Sequence, residues 1–149
     1  METSYLISFL AILISGLSAL YARHAVKEAM RSNEIAIHNE RLRIFKGILE
    51  LRGELSRHGV NIKEHDLFGY YENVQLSEFY YNETIHKKIK EYFDTAWEVV
   101  KQHDLWEAAE SKEDRDKLVA KTYEILKESR QQVEKLEAQM KEHLRLIKS

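Results

Sequence analysis

Residues 5–22, YLISFLAILISGLSALYA, give eighteen positions without a charge, enough at 1.5 Å per residue to cross roughly 27 Å of hydrocarbon. One register inside this block is made only of small residues: Ser8, Ala11, Ser15, Ser18 and Ala22. It continues into charged sequence as Ala25, Ala29, Ser32 and Ala36. The alternating spacing of three and four is a heptad seam. A strict 3.5-residue repeat predicts a left-handed supercoil, and small residues let helix backbones meet closely within a membrane. The pattern therefore predicts a transmembrane helix that runs unbroken into the following domain, to about residue 57.

A second apolar stripe appears on the same helix: Met30, Ile37, Ile44, Ile48, Leu51 and Leu55, flanked by Ile35, Leu42, Phe45 and Leu49. Such a wide stripe marks a core-facing helix. Glu34, His38 and Arg41 interrupt it at i, i+4 and i+7, which predicts a polar layer that hydrogen-bonds internally and fixes register. Residues 58–61, HGVN, end the helix. Residues 62–75 show the least regular pattern, with a short helical turn expected at 66–71. A second helix is expected to open at Ser77 or Asn82, both suitable N-caps. It carries Ile85, Ile89, Tyr92, Phe93, Ala96, Val99 and Val100, and it should stop near His103. Leu105, Trp106 and Ala109 read as a connecting turn that plugs the core.

Ser111-Lys112-Glu113-Asp114 has the form of a capping box. The last helix is expected to run from there almost to Ser149. Val119, Leu126, Val133, Met140 and Ile147 are seven apart, with Tyr123, Leu136 and Leu144 beside them, a coiled-coil-like seam. At roughly 55 Å this helix matches the one that follows the membrane segment. The two are expected to pair antiparallel, bringing Arg145 and Lys148 to anionic headgroups. The expected fold is all-α: a single transmembrane helix at 5–22 after an external residue stretch 1–4, continuing into a helical bundle at 23–149.

Composition supports this reading. There is no proline, and only five glycines interrupt helix formation. No cysteine is present, so neither a disulfide framework nor thiolate chemistry exists. A net charge of −2 argues against DNA binding, which favours a basic excess. Only Glu2 precedes the apolar block, while Arg23, His24, Lys27 and Arg31 follow it. By the positive-inside rule the N-terminus lies outside and the C-terminal domain in the cytoplasm, at the bacterial inner membrane.

Candidate chemistry is sparse. No phosphate-binding loop, dinucleotide fingerprint, zinc motif, nucleophile elbow or calcium loop occurs, and the seven histidines never pair at i, i+4. No catalytic residue, metal or cofactor is expected. The one suggestive region holds Tyr70, Tyr71, Tyr80 and Tyr81 around His86, Lys87, Lys88 and Lys90. Aromatic faces stack on bases while Lys and His contact phosphates, so a small nucleotide is one occupant. A filled core beside a solvated lysine face is the other reading, because Glu72, Glu78 and Glu83 oppose a phosphate.

Residues 21–52, YARHAVKEAMRSNEIAIHNERLRIFKGILELR, resemble the juxtamembrane helix of small single-pass bacterial membrane proteins. The overall layout is similar to membrane-anchored effectors of antiphage defence, including those of type III CRISPR systems gated by cyclic oligoadenylates. That resemblance implies a homo-oligomeric sensor and effector, in which a cyclic nucleotide or a partner bound by the cytoplasmic domain alters membrane packing. The alternative is a passive anchor or scaffold that presents helical surface to a soluble partner.

Overall fold

The computed structural model describes residues 2–145, with side chains described from residue 5 onward. Among them are four α-helices and one 3-10 turn: α1 (Glu2–His58), the turn (Gly59–Asn61), α2 (Glu64–Tyr80), α3 (Glu83–Glu107) and α4 (Lys112–Arg145). The described residues contain no strand. Ile147 and Lys148, expected on the last helix, lie outside the described residues. The chain divides into two units, Met1–Ile37 and His38–Ser149.

The first unit is helical throughout its described residues. Every side chain from residue 5 to residue 36 is exposed, including Leu6, Phe9, Ile12 and Leu20. The most apolar eighteen-residue window of α1 has a mean hydropathy of 2.0, and none of it is buried. A soluble core helix of this composition would hide its apolar face. This one is long and apolar enough to cross a membrane. A helix also meets the main demand of hydrocarbon, since its backbone bonds are internal, and Ser18 Oγ donates to the Ile14 carbonyl at 2.7 Å.

The second unit holds the remainder of α1 together with α2, α3 and α4. Gly59 ends α1 because it sits at φ +55°, a left-handed conformation that costs glycine little. The Asp66 carboxylate starts α2 by accepting from the Lys63 backbone N–H at 3.0 Å. Asn82 starts α3 by accepting from the Ile85 N–H at 2.9 Å. At α4, Ser111 Oγ accepts from the Asp114 N–H at 3.0 Å and donates to the Asp114 carboxylate.

Cross-helix contacts give the direction of each pair. Between α1 and α2, Arg41 meets Tyr80 and Arg43 meets Glu72. Between α2 and α3, Phe68 meets Trp97 and Ser77 meets His86. Between α3 and α4, Lys88 meets Gln139 and Thr95 meets Gln132. Between α1 and α4, Phe45 lies under Lys141 while Arg52 pairs with Glu137 and Glu134. In each case numbers rise on one helix as they fall on the other, so all four pairs run antiparallel. The core they enclose includes Ile44, Ile48, Leu51, Leu67, Ile89, Tyr92, Val99, Val133, Leu136 and Met140.

Several expectations are corrected. Residues 64–80 form one seventeen-residue helix rather than a loop with a short turn; Leu67, Val74 and Ser77 face inward, with Tyr70 half-buried between them. Helix α3 runs past His103 to Glu107, so Leu105 and Trp106 belong to its last turn, and Leu105 is exposed instead of plugging the core. On α4 the inward register is Thr122, Leu126, Ser129, Val133, Leu136 and Met140, and Tyr123 points outward. The small Ser129 fits there because Tyr92 brings its bulk from α3, its hydroxyl bonded with Ser129. The stripe on α1 is buried only from Ile44 onward; Met30 and Ile35 are exposed.

The two glycines inside the bundle part of α1 are not equivalent. A Cβ at Gly47 would overlap the Asn73 side chain, whereas one at Gly53 meets nothing within 4 Å. Gly53→Ala should therefore stabilise the chain by about 1 kcal/mol through helix propensity. Gly47→Leu should lower the melting temperature by forcing α2 away. Thermal unfolding followed by far-ultraviolet circular dichroism checks both.

Candidate functional site

Of the residues singled out in the sequence, Arg41, Tyr80 and Tyr81 meet at one corner of the bundle. Helices α2 and α3 are joined by only Tyr81 and Asn82, a connection too short to do anything but reverse the chain. It packs on α1 through two reciprocal hydrogen bonds. Arg41 Nε donates to the Tyr80 carbonyl at 2.7 Å, and the Tyr81 hydroxyl donates to the Arg41 carbonyl at 2.9 Å. Helix α4 closes the corner from its far end. The His143 ring lies 6.2 Å from that of Tyr81, and Asn82 Nδ2 donates to His143 Nε2 at 3.1 Å. Because Asn82 Oδ1 already accepts from Ile85, its amide nitrogen faces His143, whose Nε2 must carry no proton in this arrangement.

Other members of the set lie elsewhere. Tyr70 is half-buried on α2, about 15 Å along the helix from Tyr80. Tyr71 is exposed and tilts against Phe93 at 6.1 Å. His86 is half-buried beside Ser77, with Nδ1 2.8 Å from Oγ; since that hydroxyl donates to the Val74 carbonyl, the imidazole is the donor. Lys88 points to α4, donates to Gln139 at 2.8 Å, and lines a groove of about 270 Å³ with Lys135, Glu91 and Glu128. Lys87 and Lys90 are exposed on the far side of α3. The aromatic and basic residues thus divide among core, groove and solvent.

The polar layer is rearranged too. Arg41 serves the Tyr80 carbonyl instead of a neighbour on its own helix. His38 is half-buried with Nδ1 unpartnered, and Glu34 is exposed in the first unit. Ser8, Ala11, Ser15, Ser18 and Ala22 are all exposed along α1. Among the described residues no group of three or more His, Asp or Glu side chains gathers as a metal set.

Burial sets the electrostatics of the corner. Removal from water raises the Tyr81 hydroxyl from 10.0 to about 12, and the nearby Arg41 guanidinium only partly opposes it. Tyr92, deeper in the core, is raised for the same reason, and Tyr70 moves in the same direction. Arg52 is held above its ordinary value by its hydrogen bond and charge pairing with Glu137.

What signal identifies the corner? Arg41 and Tyr80–Tyr81 are 40 residues apart, and only the hairpin reversal at Asn82 unites them. Its cap preference was legible, but its partner on α1 was not. No protein-family model matches this chain, and no curated protein or solved structure matches it either.

The Tyr81 shift makes a signed prediction. With a folded value near 12 against an ordinary 10.0, the unfolded chain loses this proton first as pH rises. The native state then binds more protons than the unfolded one, and stability falls between about pH 10 and pH 12. In Tyr81→Phe that alkaline slope should be shallower, while stability at pH 7 should drop by about 1 kcal/mol for the lost hydrogen bond. Chemical denaturation across this pH range measures both.

Proposed function

We propose that the protein is a non-catalytic, membrane-anchored homo-oligomer in which events at the helical bundle are passed to the packing of the apolar segment. The observation that carries this reading is the dual composition of α1. One helix holds both the exposed apolar window and the bundle stripe from Ile44 to Leu55, and the α2–α3 corner grips it at Arg41. A tether alone has no use for such a grip. The small-residue register Ser8, Ala11, Ser15 and Ser18 then supplies the face on which copies meet, and its hydroxyls suit a bundle interior or a wet path. The bundle is on the cytoplasmic side, following the basic residues after the apolar block. A small anionic ligand, such as a cyclic nucleotide, is one class of signal.

A scaffold reading has one observation in its favour. Phe68, Tyr71 and Phe79 are exposed on α2, and exposed aromatic surface marks contact with a partner. The two readings separate on membrane function. Tightly induced expression in bacteria should collapse the membrane potential reported by a voltage-sensitive dye, and Ala11→Leu with Ser15→Leu should prevent the collapse. An unchanged potential at high expression supports the scaffold. For orientation, a C-terminal fluorescent fusion should mature and a C-terminal periplasmic phosphatase fusion should remain inactive; an active phosphatase overturns the assignment.

A further inference from the structure

A cleft of about 460 Å³ opens where the last turn of α1 and the 3-10 turn meet the middle of α4. Its walls carry Arg57, His58, Lys127 and Arg130, with Val60 as apolar surface and Tyr123 at the edge. No carboxylate lines it. Two of these basic side chains have a structural explanation. Arg57 and His58 pair with Glu54 at 2.9 and 3.1 Å, and basic groups in a last helical turn answer its partial negative charge. Lys127 and Arg130 have no such role. They stand in the interior of α4, and among the described residues neither side chain has a hydrogen bond or an ion pair. Tyr123, one helical turn before Lys127, leaves its ring 60% exposed beside them.

From this we infer that the cleft binds a soluble organic phosphate bearing a planar ring. Arg130 offers a planar fork for phosphate oxygens and Lys127 a mobile point charge. The Tyr123 face is free to stack on the ring, as aromatic side chains do with bases. The volume falls within the range of small-ligand sites, about 300–1,000 Å³. A ringless lipid headgroup would leave Tyr123 unused, which favours the soluble ligand. The site is distinct from the corner at Arg41, and binding there is read without reference to the membrane, so it stands or falls separately from the proposed effector role.

Calorimetric titration of the full chain in detergent micelles tests the assignment, with ATP as the ring-bearing probe and inorganic triphosphate as the ringless one. ATP should bind at one per chain. Lys127→Glu with Arg130→Glu should weaken it at least tenfold, and the milder Lys127→Gln with Arg130→Gln should do so in the same direction with an unchanged melting curve. Tyr123→Ala should weaken ATP several-fold and leave triphosphate unaffected. Lys46→Glu with Lys112→Glu, the same charge change at exposed positions outside the cleft, should leave ATP binding intact. No ATP binding to the native chain, or equal losses in both charge-reversed pairs, would overturn the proposal. A single-stranded ribo-oligonucleotide that displaces ATP and binds more tightly would also overturn it, in favour of RNA.

Discussion

The bundle depends on keeping one stripe of α1 out of water. Ile44, Ile48 and Leu51 are fully buried and Leu55 nearly so, and truncating any of them to Ala would cost about 2–5 kcal/mol. Because these residues repeat at helical spacing on one face, whatever covers them must be arranged along that face. Helices α2 and α4 run antiparallel to α1, and α3 completes the core opposite. Arg52 fixes the register between α1 and α4: its guanidinium meets Glu137, a carboxylate with only 10% of its side chain exposed. Removing Arg52 would leave that carboxylate buried without its main partner, at about 1–3 kcal/mol.

The same helix meets a different solvent demand before residue 37, where all described side chains from residue 5 to residue 36 face outward. Apolar side chains exposed in such numbers mark an interaction surface, and this one is long and apolar enough to cross a membrane. Two kinds of apolar surface therefore share one secondary-structure element, one covered by the chain itself and one not. The Arg41 corner lies just inside the covered part, where the backbone of α1 is held by a tyrosine hydroxyl and its side chain is spent on a carbonyl. A change that loosened Tyr81 or displaced His143 would act first on α1.

Much of this was legible in the residue pattern. The uninterrupted first helix, its glycine end at 58–61, the Asn82 and Ser111 caps and the long final helix all follow from local rules that burial reinforces. Helix α2 was missed for a physical reason. Its inward positions are Leu67, Tyr70, Val74 and Ser77, while Phe68, Tyr71 and Phe79 face solvent, so aromatics lie on both sides and the apolar periodicity is flattened. On α4, Thr122 and Ser129 take inward places that apolar patterning assigns to larger residues such as Tyr123; beside Ser129 the bulk comes from Tyr92 on the opposite helix. Closeness in sequence also misled at residues 70–92: a helix turns 100° per residue, so Lys87 and Lys88 part toward solvent and toward α4. The lining of the basic cleft comes from residues some 70 apart, a juxtaposition that only the antiparallel pairing of α1 with α4 creates.

The central claim is that the small-residue register of the apolar segment is where copies of the chain meet. The protein has no cysteine of its own, so single cysteines at Ser8, Ser15 and Ser18 can be oxidised in native membranes against a clean background, with Leu13→Cys on the opposite side of the helix as the control. The account predicts disulfide-linked dimers at the three seam positions and little or none at Leu13. Crosslinking that is absent from all three, or strongest at Leu13, would show that the register faces lipid and would contradict the account.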